Sequence, residues 1–291
     1  MRREDIHIRD PFIYTDTEHG KYYIYGTTDM VGDQSLTTTR FSVYISEDLE
    51  EFQGPFPVFD GAKQHFWATK DYWAAEMHYY KGKYYLFGNF KAEDKCRATQ
   101  ILRADSPMGP FEPISEKPQT PEGWECLDGT LWVEDGIPYL VFCHEWLQCI
   151  NGEICGVELT DDLTAAKGEP FLLFRANENP CIRAIHNSKR ELCYVTDGPF
   201  LYRENGKLHM IWSSFTKGKY AVLEAEADNL HGKWTHFPSR FPFDGGHAMV
   251  FRNLNGNPVM ALHGPNVPPN ERMILIPLGE VGQKVSERTS Q

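Results

Sequence analysis

The sequence lacks the long apolar run that a transmembrane helix needs. No stretch of its 291 residues approaches the roughly 20 apolar residues that span a bilayer. The N-terminus, MRREDIHIRD, has no apolar signal core and leads directly into a first predicted strand. Together with the initial methionine, these features predict a cytoplasmic protein with no membrane partner.

A surplus of basic residues is absent as well. Lys and Arg number 29 against 41 Asp and Glu, so the formal net charge is −12. An acidic chain without a basic stripe is a poor partner for nucleic acids or anionic membranes. Neutral sugars, by contrast, are compatible with this charge balance.

Disulfide and metal-binding cysteine patterns are missing too, as are several common catalytic motifs. The seven cysteines form no C-x-x-C pair, and Cys143, Cys155 and Cys193 stand in apolar runs, which predicts buried free thiols. There is no G-x-S-x-G elbow, no H-E-x-x-H, no P-loop, no EF-hand loop and no G-x-G-x-x-G after a strand. No chemistry that depends on these motifs is therefore supported.

What the sequence does contain is one pattern written five times. A polar or ionisable residue precedes a short apolar and aromatic stretch, a turn with glycine and a second apolar stretch, which is the signal of a β-hairpin. The copies begin at Asp10, Glu76, Asp128, Asp197 and His247. Four copies are followed by a weaker pair of strands, and no segment holds the apolar period of a capped helix.

This repeat predicts an all-β fold, a five-bladed β-propeller, with residues 1–291 as a single catalytic domain. Four short strands per repeat, at a spacing of roughly 50 to 70 residues, are typical of propeller blades. The fifth copy has one convincing hairpin and the segment RMILIPL. The sequence therefore leaves open which segment closes the ring.

The first residues of the five repeats are the candidate site. The innermost strand of each blade lines a central channel, so we expect these residues to occupy equivalent places and to meet around the axis. Four carboxyls and an imidazole in one cavity are unfavourable through repulsion and desolvation unless function requires them. Glycoside hydrolysis uses such a cluster. One ionised carboxylate activates water, one protonated carboxyl donates to the leaving oxygen, and a third negative group raises the pKa of the acid.

Several further residues are candidates for binding. The aromatic side chains that could stack on sugar rings are Phe12, Trp73, Trp132 and Phe200, with packing in a blade core as the alternative for each. Glu76 is predicted either to contact substrate or to bond to a neighbouring blade. His247 follows two glycines that allow close backbone approach, and is predicted to bind substrate, water or an ion. His144, Glu145 and His263 are candidates for the channel mouth or for the surface.

Taken in chain order, five segments of the sequence resemble the blades of glycoside hydrolase family 43. The resemblance covers nearly the whole chain. It is carried by RDPFI from Arg9, WAAE from Trp73 with HYYKGKYY from His78, LDGTLW from Leu127, DGP from Asp197, and GH from Gly246. Members of this family are five-bladed propellers that invert anomeric configuration.

The resemblance implies roles for these residues. Asp10 would be the general base, Asp128 would tune and orient the acid, and the Asp197 position would carry the general acid. His247 would lie near the channel centre, where many members hold a calcium ion or a water cluster. Inversion implies carboxyls roughly 6.5–9.5 Å apart, which leaves room for water.

The chain departs from the family pattern in its fourth blade. The family normally has glutamate before Gly-Pro, whereas this chain has Asp197, which is shorter by one methylene. Three interpretations stay open, because proton transfer depends on hydrogen-bond reach. Asp197 still protonates the leaving group, Glu76 or Glu145 does so instead, or the protein binds sugar without efficient hydrolysis.

The resemblance thus implies a hydrolase of carbohydrate metabolism that acts on oligosaccharides containing arabinofuranosyl or β-xylosyl units, as an arabinofuranosidase or xylosidase does. One alternative is a non-catalytic carbohydrate-binding propeller. Another is a hydrolase of a different glycone, such as galactose. The sequence does not predict the linkage that is cleaved, whether the action is exo or endo, whether calcium is bound, or the oligomeric state.

Overall fold

The computed structural model describes residues 1–28, 30–31, 36–37, 39–239 and 244–279. The strands are numbered β1 to β23 along the chain. The helical segments that lie wholly within the described residues are α1 (Trp146–Cys149) and two 3₁₀ turns, Arg3–Asp5 and Ala176–Glu178.

The first two blades are four-stranded antiparallel sheets whose strands follow one another in sequence. Blade 1 begins with β1 (Arg9–Asp16) and β2 (Lys21–Thr27), continues through a short hairpin of β3 (Met30–Val31) and β4 (Leu36–Thr37), and ends with β5 (Arg40–Ser46) and β6 (Phe52–Asp60). Blade 2 contains β7 (Lys70–Tyr80), β8 (Lys83–Ala92), β9 (Lys95–Ala104) and β10 (Glu112–Pro113).

The remaining blades follow the same plan. Blade 3 contains β11 (Cys126–Glu134), β12 (Ile137–His144), β13 (Glu153–Glu158) and β14 (Phe171–Arg175). A short hairpin of β15 (Ile185–His186) and β16 (Leu192–Cys193) precedes blade 4, which contains β17 (Asp197–Glu204), β18 (Lys207–Thr216), β19 (Lys219–Ala227) and β20 (Thr235–Phe237). Blade 5 has three strands in the described residues, β21 (Gly246–Arg252), β22 (Pro258–Gly264) and β23 (Arg272–Pro277).

The first strands of the five blades form a closed ring. Strand β1 contacts β7, β7 contacts β11, β11 contacts β17, β17 contacts β21, and β21 contacts β1 again. The prediction of an all-β five-bladed propeller is therefore confirmed, and these five are the inner strands.

The two ends of the described chain meet at the junction of blades 5 and 1. Glu271, which is fully buried, accepts hydrogen bonds from Arg9 Nη1 at 2.7 Å and lies 3.1 Å from His7 Nε2. Arg272 Nε donates to the carbonyl of Glu4 at 2.7 Å. The segment RMILIPL thus forms β23, and the residues before β1 pack against it, which answers the question of closure.

All five inner strands carry the same β-bulge near their start. Two residues of the inner strand oppose one residue of the second strand, as Asp10 and Pro11 oppose Gly26 between the pairs Arg9–Thr27 and Phe12–Tyr25. The inserted residue has positive φ in every blade, which re-aims its side chain. These residues are Asp10 (φ 53°), Ala74 (φ 47°), Asp128 (φ 55°), Gly198 (φ 51°) and His247 (φ 51°).

The bulge corrects the expectation that the five candidate residues are equivalent. Asp10, Asp128 and His247 do share the left-handed position. Asp197 lies one residue before it, and Glu76 lies two residues after it, where blade 1 has Phe12. The expectation of equivalence was wrong for these two residues, because the amino-acid sequence of the repeats does not by itself reveal where the extra residue of the bulge is inserted.

The hydrophobic core lies between neighbouring blades. Tyr72 and Phe90 of blade 2 pack with centroids 5.0 Å apart and contact Phe41 of blade 1, while Phe174 of blade 3 lies 5.3 Å from Trp212 of blade 4. All seven cysteines are free, and those predicted to be buried are buried.

Regarding membranes, none of the helices in the described part of the chain is long and apolar enough to cross a bilayer. A cytoplasmic location stays a prediction.

Candidate active site

The carboxyls converge on His247 at one end of the channel. His247 Nδ1 lies 3.2 Å from Asp10 Oδ1 and 3.8 Å from Asp128 Oδ2. Burial alone would lower the pKa of His247, but the charges of Asp10 and Asp128 outweigh burial and raise it to about 10. The imidazole is therefore a cation at neutral pH, which offsets part of the repulsion between the two carboxylates.

Asp10 is held in its ionised form. Its Oδ2 accepts a hydrogen bond from Thr27 Oγ1 at 2.9 Å, and Thr27 in turn accepts from the Ala74 N–H of blade 2. His263 Nδ1 lies 3.1 Å from the Asp10 nitrogen and 3.3 Å from its Oδ1. Burial opposes ionisation, but the charge and hydrogen bond of His247 hold the pKa of Asp10 well below its usual value.

Asp128 links three blades. Its Oδ1 accepts from Asn89 Nδ2 at 2.6 Å, its N–H donates to Asn89 Oδ1 at 2.8 Å, and its Oδ2 accepts from the Gly198 N–H at 2.9 Å. Thr99 Oγ1 fixes the same Asn89 oxygen at 3.1 Å. Burial raises the pKa of Asp128, although His247 and these donors oppose the shift.

Asp197 is the carboxyl that is held protonated near neutral pH. Desolvation, followed by the charge of Asp128, raises the pKa of Asp197 to about 7. Its Oδ2 accepts a hydrogen bond from Tyr220 OH at 3.0 Å, and the Tyr220 ring stacks on His263 with centroids 5.7 Å apart. Asp197 is also less buried than Asp128.

Two glycines permit this close packing. A Cβ on Gly198 would lie 2.8 Å from the His247 ring, and one on Gly246 would lie 2.3 Å from the Tyr220 ring. Gly198 also has the positive φ of the bulge. The sequence neighbours of Asp197 and His247 are therefore small because the site is packed from both sides.

Glu76 and Glu145 have other partners. Buried Glu76 bonds through Oε2 to His78 Nε2 at 3.1 Å, and its charge also acts on His247. Glu145 lies 3.4 Å from Arg97 Nε, and Arg97 also pairs with Asp71 at 3.2 Å. Burial raises the pKa of Glu145, but the groups that act on it are Arg97, Glu125 and Lys91 rather than the carboxyls around His247.

Trp73 adjoins the carboxyl cluster, because it pairs across the sheet with Asn89, the partner of Asp128. Its ring covers the Arg97 guanidinium at 4.0 Å from the centroid and keeps partial exposure. This position suits a sugar-stacking platform, and that role stays a prediction.

The other three predicted aromatics lie further along the inner strands. Phe12, Trp132 and Phe200 line a cavity of about 600 Å³ to which all five inner strands contribute, and no carboxyl of the cluster lines it. Trp132 follows Asp128 by four residues, or about 13 Å of extended strand. These aromatics thus line a cavity that the carboxyls of the cluster do not line, and a substrate contact by any of them stays a prediction.

A calcium ion at His247 has one evident protein ligand. His247 Nε2 is buried and bonds to no described protein group. Among the described residues, His247 belongs to no group of three His, Cys, Asp or Glu whose ligand atoms lie within 4.8 Å of one another. Calcium takes six to eight oxygen ligands. An ion at Nε2 would therefore have to displace the proton that the cationic imidazole carries there and complete its shell largely with water.

Sequence reasoning missed several residues that hold the carboxyls. Thr27, Asn89 and Ser213 lie at or near the ends of second strands, and each pairs with an inner strand at the bulge. Thr27 and Asn89 bond to carboxyls of the cluster, and Ser213 Oγ accepts from the His247 N–H at 2.7 Å. Their shared position at the end of each repeat's second apolar stretch was a usable signal. His263 shares it and had been a candidate, whereas Tyr220, on a third strand, carried no such signal.

The chain is similar in sequence and fold to several solved glycosidases. The chain is 40% identical to an endo-arabinase from Bacteroides thetaiotaomicron VPI-5482, with a TM-score of 0.88, over 95% of this chain and 96% of the other. An α-L-arabinofuranosidase from Lactobacillus brevis shares the fold at 16% identity and a TM-score of 0.68, over 95% and 94% of the two chains.

A curated sequence relative is xylosidase/arabinosidase 43A of Humicola insolens. It is 30% identical over 146 residues, which are 45% of this chain and 43% of that protein. The match therefore spans less than half of either protein. The family model for glycosyl hydrolases family 43 matches residues 6–277, which includes every inner strand and all the carboxyls described above. The chain belongs to family 43 of the glycosyl hydrolases.

Proposed function

We propose that this protein is an inverting glycoside hydrolase that acts on oligosaccharides containing arabinofuranosyl or β-xylosyl units. The observation that carries the proposal is the split between two aspartates of one cluster, since Asp10 is held ionised and Asp197 protonated. Glycoside hydrolysis needs one carboxyl in each state, and the inverting course is the one that membership of family 43 implies. The 40% identity to an endo-arabinase favours arabinofuranosyl units over xylosyl units.

Asp10 acts as the general base. Its pKa is held well below the usual value, so the carboxylate is ionised at neutral pH, and Thr27 and His247 fix its orientation at 2.9 and 3.2 Å. A water molecule bound to Asp10 would lose a proton to it as the water oxygen attacks the anomeric carbon. His247 supplies the positive charge that keeps the base ionised.

Asp197 acts as the general acid. With a pKa of about 7 it carries a proton below about pH 7, and proton donation is most efficient when the pKa of the acid lies near the operating pH. Tyr220 holds one carboxyl oxygen at 3.0 Å, which leaves the other to face the leaving oxygen. Asp128, whose charge contributes to the raised pKa of Asp197, acts as the tuning carboxylate.

The rival acids have weaker support. Glu145 is bound to Arg97, and Glu76 to His78. The alternative of a non-catalytic sugar-binding propeller predicts affinity without turnover, and the alternative of another glycone predicts turnover on a galactoside.

His247 is the residue that would hold calcium, which would add positive charge beside Asp10 and Asp128. A relative solved in a calcium-free form with xylotriose makes that question relevant.

The test is hydrolysis of nitrophenyl α-L-arabinofuranoside, β-D-xyloside and galactoside, together with arabinan and xylan oligosaccharides. Proton NMR of the first-formed sugar reports its anomer. The proposal expects turnover of a pentoside and the inverted anomer as the initial product. A retained anomer would refute the mechanism, activity confined to the galactoside would refute the glycone, and binding without turnover would favour the non-catalytic alternative.

A further inference from the structure

The connection between β12 and β13 collects three metal-ligating side chains. His144, Cys149 and Glu153 each offer one ligand atom, and these atoms lie within 4.8 Å of one another. His144 ends β12, Cys149 ends α1, and Glu153 begins β13. Within the described part of the chain no other group of three such residues meets this criterion. The cluster is separate from the carboxyls around His247.

The chemistry of these three ligands selects the metal. One imidazole nitrogen, one sulfur and one carboxylate oxygen form a ligand set that zinc accepts, whereas calcium and magnesium prefer oxygen alone. A thiolate and a carboxylate together neutralise a divalent ion. The site is partly buried, with exposed side-chain fractions of 13% for His144 and 16% for Glu153. A neutral complex is therefore favoured over separate charges here.

The imidazole is already oriented as in a metal site. His144 Nδ1 faces Glu153 Oε2 at 3.0 Å, while Nε2 faces Gln148 Oε1 at 2.9 Å. Gln148 is itself fixed, since its Nε2 donates to the Gly123 carbonyl at 2.9 Å. The Trp124 ring stacks on the imidazole at 4.2 Å. Metal-binding histidines characteristically bond through their second nitrogen to such an oxygen.

We propose that His144 Nδ1, Cys149 Sγ and Glu153 Oε2 bind a zinc ion, with water as the fourth ligand. The ion replaces the proton shared between His144 and Glu153. Arg175, 2.8 Å from Glu153 Oε1, remains an outer partner of the carboxylate. Zinc binds the thiolate form of cysteine, so binding displaces the Cys149 proton into solvent.

Zinc at this position ties together two strands beside the active site. His144 pairs with Cys126, two residues before Asp128, and Glu145 follows His144 directly. An ion that bridges β12 and β13 stabilises this end of blade 3 by mass action, since unfolded chain offers no preformed site. The inference concerns structure and does not depend on the proposed glycosidase activity.

Metal-free full-length protein is titrated with Co²⁺ and then with Zn²⁺. Wild type is expected to show thiolate-to-cobalt charge-transfer absorption, which zinc abolishes by displacement, and a higher melting temperature with zinc. Cys149→Ser is expected to lose the absorption and to bind zinc at least about tenfold more weakly. Cys181→Ser, at another partly exposed free cysteine, is the matched control and is expected to behave as wild type.

Glu153→Gln provides a second variant that retains the sulfur, and it is expected to weaken zinc binding while keeping charge-transfer absorption at high cobalt concentration. The proposal is overturned if wild type shows no thiolate-to-cobalt band, or if the band is kept in Cys149→Ser. Absence of the band in wild type overturns it even if a variant does not fold.

Discussion

Asp10 and Asp197 lie at the same end of one channel, and their surroundings drive their protonation in opposite directions. Desolvation raises the pKa of both. At Asp10 the His247 cation outweighs desolvation, whereas at Asp197 the charge of Asp128 adds to it. Burial alone therefore does not assign acid and base. The sign of the dominant neighbouring charge decides which aspartate is the acid and which is the base, as in other enzymes that use two carboxyls.

The inner-strand bulge explains why the two aspartates meet different neighbours. Asp10 occupies the left-handed position that Asp128 and His247 also occupy. Asp197 precedes that position, and Gly198 takes its place. In blade 4 the bulge residue contributes an N–H to Asp128 rather than a side chain, and Asp197 bonds to Tyr220 instead.

The largest expected effect comes from removing the base. Asp10→Asn is predicted to reduce kcat/KM by about 10²–10⁴-fold, because an amide cannot accept the proton of water. The measurement is steady-state hydrolysis of the preferred nitrophenyl pentoside. Asp105→Asn, whose side chain is 86% exposed, is the control for loss of one carboxylate. A near wild-type rate for Asp10→Asn would remove Asp10 from the role of base.

Removing the acid separates substrates by their leaving groups. Asp197→Asn is predicted to slow alkyl and sugar leaving groups by about 10²–10⁴-fold and nitrophenyl groups by less than about tenfold, because a stable leaving group needs no proton. Rates on both substrate types give the comparison. Equal losses on both would assign Asp197 another role, and Glu76→Gln and Glu145→Gln would then be measured in the same way.

Opposite stability changes sharpen the contrast between the two aspartates. The ionised Asp10 stabilises the folded state above the unfolded pKa near 3.8, whereas Asp197 becomes destabilising as pH rises from that value through about 7. At pH 8 we therefore expect Asp10→Asn to lower the melting temperature and Asp197→Asn to raise it, each by at least about 2 °C. The gain for Asp197→Asn is expected to shrink toward pH 4. Shifts of the same sign at pH 8 would contradict the assigned charge states.

The smallest expected effect concerns Tyr220, which acts as a positioning residue. Its hydrogen bond favours the ionised form of Asp197. Tyr220→Phe is therefore predicted to move the basic limb of the pH profile upward by about one unit or less, with a modest loss of kcat. Tyr79→Phe, with 54% exposure and no link to the cluster, is expected to leave the limb in place. A downward shift in Tyr220→Phe would reverse the inferred direction of that interaction.

Much of the fold was predictable because local sequence signals, such as turn residues between apolar stretches, specify the strands of each blade. Asn205-Gly206 forms a two-residue turn in which both residues have positive φ, as a tight hairpin requires. The site was predictable only in part. The first residues of the repeats identified Asp10, Asp128, Asp197 and His247 as site residues. The bulge that shifts the positions of Asp197 and Glu76 depends on pairing with a second strand, which the sequence does not show. Tyr220 contacts Asp197 from the third strand of the blade, and the repeat pattern in the sequence does not indicate such a contact.

The pH dependence of kcat/KM for wild type on a substrate with a sugar leaving group tests the central claim most directly. The account predicts activity that falls as pH rises through about 7, where Asp197 loses its proton, and an acidic limb well below 3.8, where Asp10 gains one. These limbs are properties of the coupled cluster. Activity that rises through pH 7 would contradict the assignment of Asp197 as the proton donor and Asp10 as the base.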